Sequence, residues 1–447
     1  LGLKTLAILE DAAALINKPK DFYYDLPLDD EATINIFKQG RLNGIFQFEG
    51  PALKMLCKSI SVNSFDDITA ITSLARPGAL RSGGAAKFAK RRNGEEEPTY
   101  FGEKHRAITG ETYGIMVYQE QLMSLAKDLA HFTWMEISDL RLAAAKSLGD
   151  SYFSKYSDKF VAGCMEHSGM TKEEGEAVWK DIQHAGSWLF NRSHAVSYAM
   201  ISYFTAYLKA HHPRQFLAAS LNHATDDIVA LRMLRDGVEN DGIEYVAFDP
   251  DESMEGWSVR GDGVLVGGLR NIKGVGEKKA IRIMEARSGE KKWTEAMLKK
   301  MQNPETPFDI LYPTQHLWGD FFDDPGSVGL LTKPTPIREI YESGEYTVIG
   351  RLMSRNLNDL NEYNKVQKRG YELDEHVLYL NIILEDDHDS IMCSIGRFDF
   401  VRLDGRVIAE ESRIEEDWFL VQGKMSGSWR GISVTNIINL TNWRNEQ

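Results

Sequence analysis

Residues 190–213 read FNRSHAVSYAMISYFTAYLKAHHP, and the period of this stretch decides how the larger part of the chain folds. From Ser197 to His212 apolar residues recur at i, i+3, i+4 and i+7, the spacing that lines one face of an α-helix. Pro213 cannot continue that helix and disfavours helical backbone at His212, so the helix is predicted to stop there. Asn191-Arg192-Ser193-His194, polar and basic ahead of the apolar run, reads as its N-cap region. Working outward, LMSLAKDLAHF (122–132) and EEGEAVWKDIQHA (173–185) repeat the period. Residues 1–225 are therefore expected to be mostly helical, with DLPLDDEA (25–32) and RPGALRSGG (76–84) as interruptions.

The pattern then changes. Residues 226–262 predict a helix, a short strand (GIEYVAF) and a turn, and residues 263–300 predict two helical stretches around Gly274-Val275-Gly276. Residues 301–343, rich in proline and glycine, read as a linker. From 344 to 447 the period becomes two. YTVIGRLMS, HVLYLNIILE, SIMCSIGRF, DWFLVQGKMSG and GISVTNI are five strand candidates, which fit a closed barrel of the OB type or a sandwich fragment. The expected class is multidomain α+β: a helical region, a helix–hairpin–helix and a C-terminal OB-type β-barrel. A length of 447 residues, at about 150 per domain, agrees with roughly three domains.

Composition removes several functions. No apolar run approaches the ~20 residues of a membrane-spanning helix. Cys57, Cys164 and Cys393 stand far apart, which excludes a disulfide scaffold or zinc finger and fits a reducing cytoplasm. The net charge of −14 argues against indiscriminate coating of DNA, but local basic strips decide phosphate contact. One such strip carries Arg76, Arg81, Lys87, Lys90, Arg91 and Arg92 with no acidic residue among them. Its glycines fit either a solvated loop or backbone N–H groups brought close to an anion.

Further candidates follow. Lys273-Gly274-Val275-Gly276 with Lys278 and Lys279 makes a glycine hairpin at a helix N-terminus, where N–H groups favour a phosphate oxygen. Arg141 and Lys146 flank Ala143–Ala145, so small residues would let a ligand lie against the helix while the cations reach its phosphates. Tyr379, Trp418 and Trp429 are candidates for stacking unpaired bases, although strand aromatics more often line a core. The acidic run Glu385–Asp389 reads as a solvated hairpin tip. Asp320, Asp323 and Asp324 lie in a loop and are not read as catalytic.

Seven stretches in order carry a resemblance: LGLKTL (1–6), DLPLDD (25–30), GIFQFEG (44–50), ARPGALRSG (75–83), TYGIMVYQEQLM (112–123), FNRSHAVSYAMISYFTAYLKAHHP (190–213) and NIKGVGEKKAI (271–281). Together they resemble the C-family bacterial replicative DNA polymerases, the alpha subunit of DNA polymerase III. The resemblance runs almost continuously to about residue 290, and the barrel matches the family's OB domain in pattern only. It implies template-directed nucleotidyl transfer, in which Mg²⁺ ions on palm aspartates activate the primer hydroxyl and the leaving pyrophosphate. In the family the last of those aspartates immediately precedes Leu-Gly-Leu, so the palm is expected outside this chain, which alone should be inactive.

The resemblance also implies roles. Arg141 and Lys146 match the fingers cations that hold the dNTP triphosphate, although Leu142 replaces a second arginine. Asn191, Ser193, His194 and Tyr198 match the segment beside the nascent base pair. Arg76, Lys90 and Arg91 match a basic stretch near the primer–template backbone, and Tyr118–Gln121 a signature of architectural role. The implied partners are primer-template DNA, dNTPs, the palm-containing remainder and a sliding clamp, for which Gln315-His316-Leu317-Trp318 is a poor peptide match. A second class of function stays open: a non-catalytic DNA-binding module that uses the hairpin and barrel on a polymerase-like scaffold.

Overall fold

A computed structural model describes residues 4–145, 154–186, 188–311, 335, 337, 344–359, 378–386, 390–395, 403, 408–410, 412–414, 417–425 and 431–441. The chain divides into two units, residues 1–306 and 307–447.

The first unit is built around the helix Arg192–His211, which begins and ends where the sequence predicts. Asn191 caps it by accepting the His194 N–H at 2.9 Å. The helix packs against Glu31–Lys38 and Phe65–Leu74. Tyr203, fully buried on it, donates its hydroxyl to the Pro27 carbonyl at 2.7 Å and accepts the Asp30 N–H at 3.0 Å. The DLPLDD segment is therefore pinned to the helix rather than left as a loose interruption. RPGALRSGG interrupts the run with the short helix Pro77–Arg81 and a break at Ser82-Gly83, where Gly83 takes φ +81 before the helix Gly84–Arg92 begins. Proline suits the first turn of such a helix, because the N–H it lacks would have had no partner there.

Further along the same helix Lys209, 4% exposed, donates to Asp236 at 2.6 Å and to the Asn43 carbonyl at 2.9 Å. Asp241 stands 3.9 Å from the same ammonium and also pairs with Arg41. This buried charge cluster joins the GIFQFEG neighbourhood to the helix Asp227–Asp241. Opposite charges are paired within it, as buried charges require, although Arg41 Nε is buried without a hydrogen-bond partner.

A three-stranded sheet follows: β1 (Tyr245–Val246), β2 (Ser258–Val259) and the central β3 (Leu265–Val266), parallel to β1 and antiparallel to β2. The hairpin module comes next, and here the sequence reading needs correcting. The first of its two predicted helical stretches is a single 3-10 turn, Leu269–Asn271; the second is the helix Glu277–Arg287. Leu269, Ile272, Val275, Ala280, Ile283, Ala286 and Met297 form its core.

The second unit contains β4 (Gly344–Asp359), β5 (Leu378–Glu385), β6 (Ser390–Ile395), β7 (Trp418–Met425) and β8 (Gly431–Asn439), one for each predicted strand. They close in the order β4-β5-β6-β8-β7, with β6 and β8 parallel and the other neighbours antiparallel. Closure leaves no open edge, and the order is that of a five-stranded OB-type barrel rather than a sandwich. Leu380, Ile382 and Leu384 alternate into its core, as the period of two requires. β4 pairs with both β5 and β7 and must bend to do so. A Cβ at Gly350 would lie 2.9 Å from the Leu384 Cβ, so only glycine allows that approach.

The three cysteines are free and buried, and burial pushes each thiol up to about 12. The acidic run after β5 departs from expectation: Glu385 and Asp386 are buried, and Asp386 accepts the Ile337 N–H at 2.6 Å. Asp387, His388 and Asp389 lie outside the described residues, as do Asp320, Asp323 and Asp324. Among the described residues no helix is long and apolar enough to cross a membrane.

One buried histidine makes the fold pH-sensitive. His105 is 3% exposed, Thr109 Oγ1 lies 3.2 Å from its Nδ1, and burial lowers its pKa to about 4. A depressed imidazole contributes stability that is full above its unfolded value near 6.5 and is lost as pH falls toward 4, about 3 kcal/mol over that window. His105→Gln should flatten this limb, read as urea midpoint against pH. A limb as steep as the parent's contradicts the assignment.

Candidate nucleic-acid interface

Three of the stretches singled out by sequence meet at one place. Phe190 N–H donates to the Val117 carbonyl at 2.9 Å and Gln119 N–H donates to the Phe190 carbonyl at 2.8 Å, a short parallel bridge between 117–119 and 190. Gln121 holds the first side of the bridge. Its oxygen accepts Val117 N–H and Tyr118 N–H at 2.9 and 3.0 Å, and its amide donates to Thr112 Oγ1 at 2.7 Å and to the Ile108 carbonyl at 3.2 Å. Glu120 holds the other side, accepting Asn191 Nδ2 at 3.2 Å and Arg192 N–H at 3.0 Å. Arg192 in turn pairs with Glu111 at 2.8 Å.

Arg76 comes from the third stretch. Its guanidinium lies 4.3 Å from the centroid of the Phe190 ring and donates to the carbonyls of Ser73 and Trp188. Burial lowers its pKa. Arg91 is also internal: it is 7% exposed, bonded to Glu96 at 2.8 Å and to the Tyr113 carbonyl at 3.1 Å. Arg91 holds the Glu96 carboxyl below the usual carboxylate range. Arg92 pairs with the buried Asp67 at 2.7 Å. The basic strip thus divides by face. Arg76, Arg91 and Arg92 tie the helices together, while Arg81, Lys87 and Lys90 are exposed. Arg76 and Arg91, read from the sequence as backbone contacts, each spend two guanidinium nitrogens on the protein itself.

The junction places an aromatic row at the start of the long helix. His194 is exposed, 5.4 Å from Phe190 and 4.2 Å from Tyr198 between ring centroids; Tyr198 lies 5.4 Å from Phe46. Asn191 is occupied by capping, and Ser193 Oγ donates to it at 2.6 Å. Of these four residues Ser193 and His194 are exposed, and Tyr198 is half-buried between the rings of His194 and Phe46. Phe46, within GIFQFEG, was missed as part of this row; the alternation of aromatic residues in that stretch was its signal.

Arg141 is exposed on the helix Trp134–Ala145, and among the described residues no carboxylate pairs with it. Ala143 and Ala144 face inward, 0% and 4% exposed. Their small size serves helix packing, which corrects the expectation that they form a surface for a ligand. Leu142 is exposed beside Arg141. Lys146 and Gln315–Trp318 lie outside the described residues.

In the hairpin, Gly274 has φ +79, a conformation costly for other residues. Val275 is buried and its N–H donates to the Ile272 carbonyl at 2.9 Å, so Val275 anchors the turn and does not offer its N–H to a phosphate. Gly276, at the N-cap of Glu277–Arg287, is exposed, and a Cβ there would meet nothing within 4 Å. Lys273 and Lys278 are exposed, and Lys279 Nζ bonds the Gly274 carbonyl at 3.3 Å. On the barrel, the stacking candidate Trp418 is 8% exposed, with Arg351 6.0 Å from the centroid of its ring. The side chain of Tyr379 and all of Trp429 lie outside the described residues.

Residues 5–168 match the family model of the bacterial DNA polymerase III alpha subunit finger domain. Over 290 residues the chain is 38% identical to DNA polymerase III subunit alpha of Aquifex aeolicus, which covers 64% of this chain and 25% of that protein. The Thermus aquaticus subunit is 35% identical over 298 residues (64% and 24%), and that of Escherichia coli K12 is 33% identical over 301 (64% and 26%). The chain spans about a quarter of the length of these relatives.

The division of the basic strip is testable by stability alone. Arg76→Lys loses the stacked plane and one of two carbonyl contacts, and should destabilise the first unit by about 1–2 kcal/mol in urea unfolding. Lys90→Ala should change it by less than about 0.5 kcal/mol. Equal effects would contradict the division.

Proposed function

We propose that this chain, related over nearly two thirds of its length to DNA polymerase III alpha subunits, supplies the fingers, DNA-gripping hairpin and OB-type barrel of a template-directed DNA polymerase of the cytoplasm. The single observation that carries the reading is the junction of 112–123 with 190–198, which holds His194 exposed and the half-buried Tyr198 beside it, in the stretch that resembles the family's nucleotide-facing segment. A carboxylate at the N-terminus of the helix Arg192–His211 occupies one of the donors that an anion would otherwise take. The triphosphate is therefore assigned to Arg141 with Lys146, and the base and sugar of the dNTP to His194 and Tyr198. Arg141 can neutralise charge that develops on the pyrophosphate as it leaves.

Among the described residues no group of three or more histidine, cysteine or carboxylate side chains is placed to hold a metal ion. These residues do not fit a polymerase metal pair, so no step is routed through Mg²⁺ on them. The ions are assigned to palm aspartates of the larger enzyme, whose partners would be primer-template DNA, dNTPs and a sliding clamp.

Duplex backbone is assigned to the hairpin. The N–H groups at the start of Glu277–Arg287, with Lys273 and Lys278 beside them, suit a phosphate oxygen without reading sequence. Glu277 opposes this locally, so the lysines are needed.

Two outcomes test the reading. Gly276→Thr places a competent N-cap in open space, so stability should hold or rise, while its side chain takes the donors a phosphate needs. Duplex affinity should fall about ten-fold at unchanged melting temperature; unchanged affinity would reduce the hairpin to a turn. The purified chain alone should not extend a primer. Supplied with a palm-containing polypeptide, it should do so, and Arg141→Ala should lower kcat/KM for dNTP about 10²-fold. Extension that Arg141→Ala leaves unaltered sinks the triphosphate assignment. Duplex binding without any extension favours the non-catalytic module.

A further inference from the structure

The helix Trp134–Ala145 is apolar on more sides than burial explains. Ile137, Leu140, Ala143 and Ala144 face the core, yet Trp134, Met135 and Leu142 are 65%, 82% and 43% exposed. A helix apolar all round is normally covered all round. The charges beside this face are uneven. Glu136 is paired with Lys159, which holds its carboxyl down to about 2, and Asp139 accepts from Lys155 at 3.2 Å and from the Tyr156 hydroxyl at 2.8 Å. Lys127 and Arg141 are exposed, with no carboxylate paired to either among the described residues, and Lys127 Nζ lies 5.2 Å from the centroid of the Trp134 ring. Glu136 and Asp139 are thus neutralised by neighbours, whereas the cations beside the exposed indole have no carboxylate partner among the described residues.

We infer that this face is a stacking platform for an unpaired DNA base, the single-stranded template just ahead of the nascent pair. The exposed indole offers its ring to any base, Met135 extends the apolar surface, and Lys127 attracts the adjoining phosphate. An unpaired base has a free π-face to stack, whereas bases within a duplex are already stacked on one another. Trp134 and Arg141, seven residues apart, share one side of the helix about 10.5 Å apart along its axis. A base on Trp134 thus sits two turns from the proposed triphosphate contact. This assignment rests on the reading of the chain as a DNA-binding polymerase component.

The test uses the whole chain with two labelled probes, a blunt duplex and the same duplex carrying a four-nucleotide 5′ overhang, titrated at one salt concentration. The parent should bind the overhang form about ten-fold more tightly than the blunt form. Trp134→Ala should abolish that gain while leaving blunt-duplex affinity and melting temperature unchanged, and Trp134→Phe should keep most of it. A gain that survives Trp134→Ala, or a parent that binds duplex without any gain, overturns the platform and leaves the hairpin reading standing. A concentration-dependent dimer dissolved by Trp134→Ala also overturns it, because the face then belongs to a second copy. A parent that binds neither probe overturns the DNA reading and the platform with it.

Discussion

The bridge between Val117–Gln119 and Phe190 is the constraint on which the rest of the candidate interface depends. Segments some seventy residues apart are joined there by two main-chain hydrogen bonds, with Gln121 and Glu120 holding either side. Gln121 spends its amide donors and its acceptor oxygen inside the protein, which is what a buried amide requires. Because the bridge fixes Phe190, it also fixes the cap at Asn191 and the row of His194 and Tyr198. Arg76 braces the same point from a third direction through the Phe190 ring and the Trp188 carbonyl.

This arrangement separates residues that hold from residues that face outward. Arginine serves the first task because its planar fork can stack and can donate to several acceptors: Arg76 stacks on Phe190 and bonds two carbonyls, Arg91 bonds Glu96 and the Tyr113 carbonyl, and Arg92 bonds Asp67. Arg81, Lys87, Lys90 and Arg141 are exposed instead, and their charges suit a mobile phosphate. A net charge of −14 does not preclude phosphate contact, because the strip and the hairpin stay locally basic.

Much of the fold was legible in the sequence because it follows from period and punctuation. The helix ending at His212, the Asn191 cap and all five barrel strands were read correctly. The five-residue helix inside RPGALRSGG was not, since glycine-rich composition hides a proline-initiated helix whose stability comes from tertiary packing. At the candidate site, residue types were readable and their engagement was not. A basic strip has one appearance in sequence whether its guanidinium groups face solvent or carbonyls, and the inward turn of Ala143 and Trp418 depends on neighbours distant in the chain. The relation of Phe46 to Tyr198 has the same origin.

The most direct test of the central claim is amide hydrogen exchange of this chain with and without primer-template DNA. The account predicts new protection at the start of Glu277–Arg287 and around His194 and Tyr198, weakening as salt is raised. Unchanged exchange at both places, with DNA bound elsewhere on the chain, would contradict it.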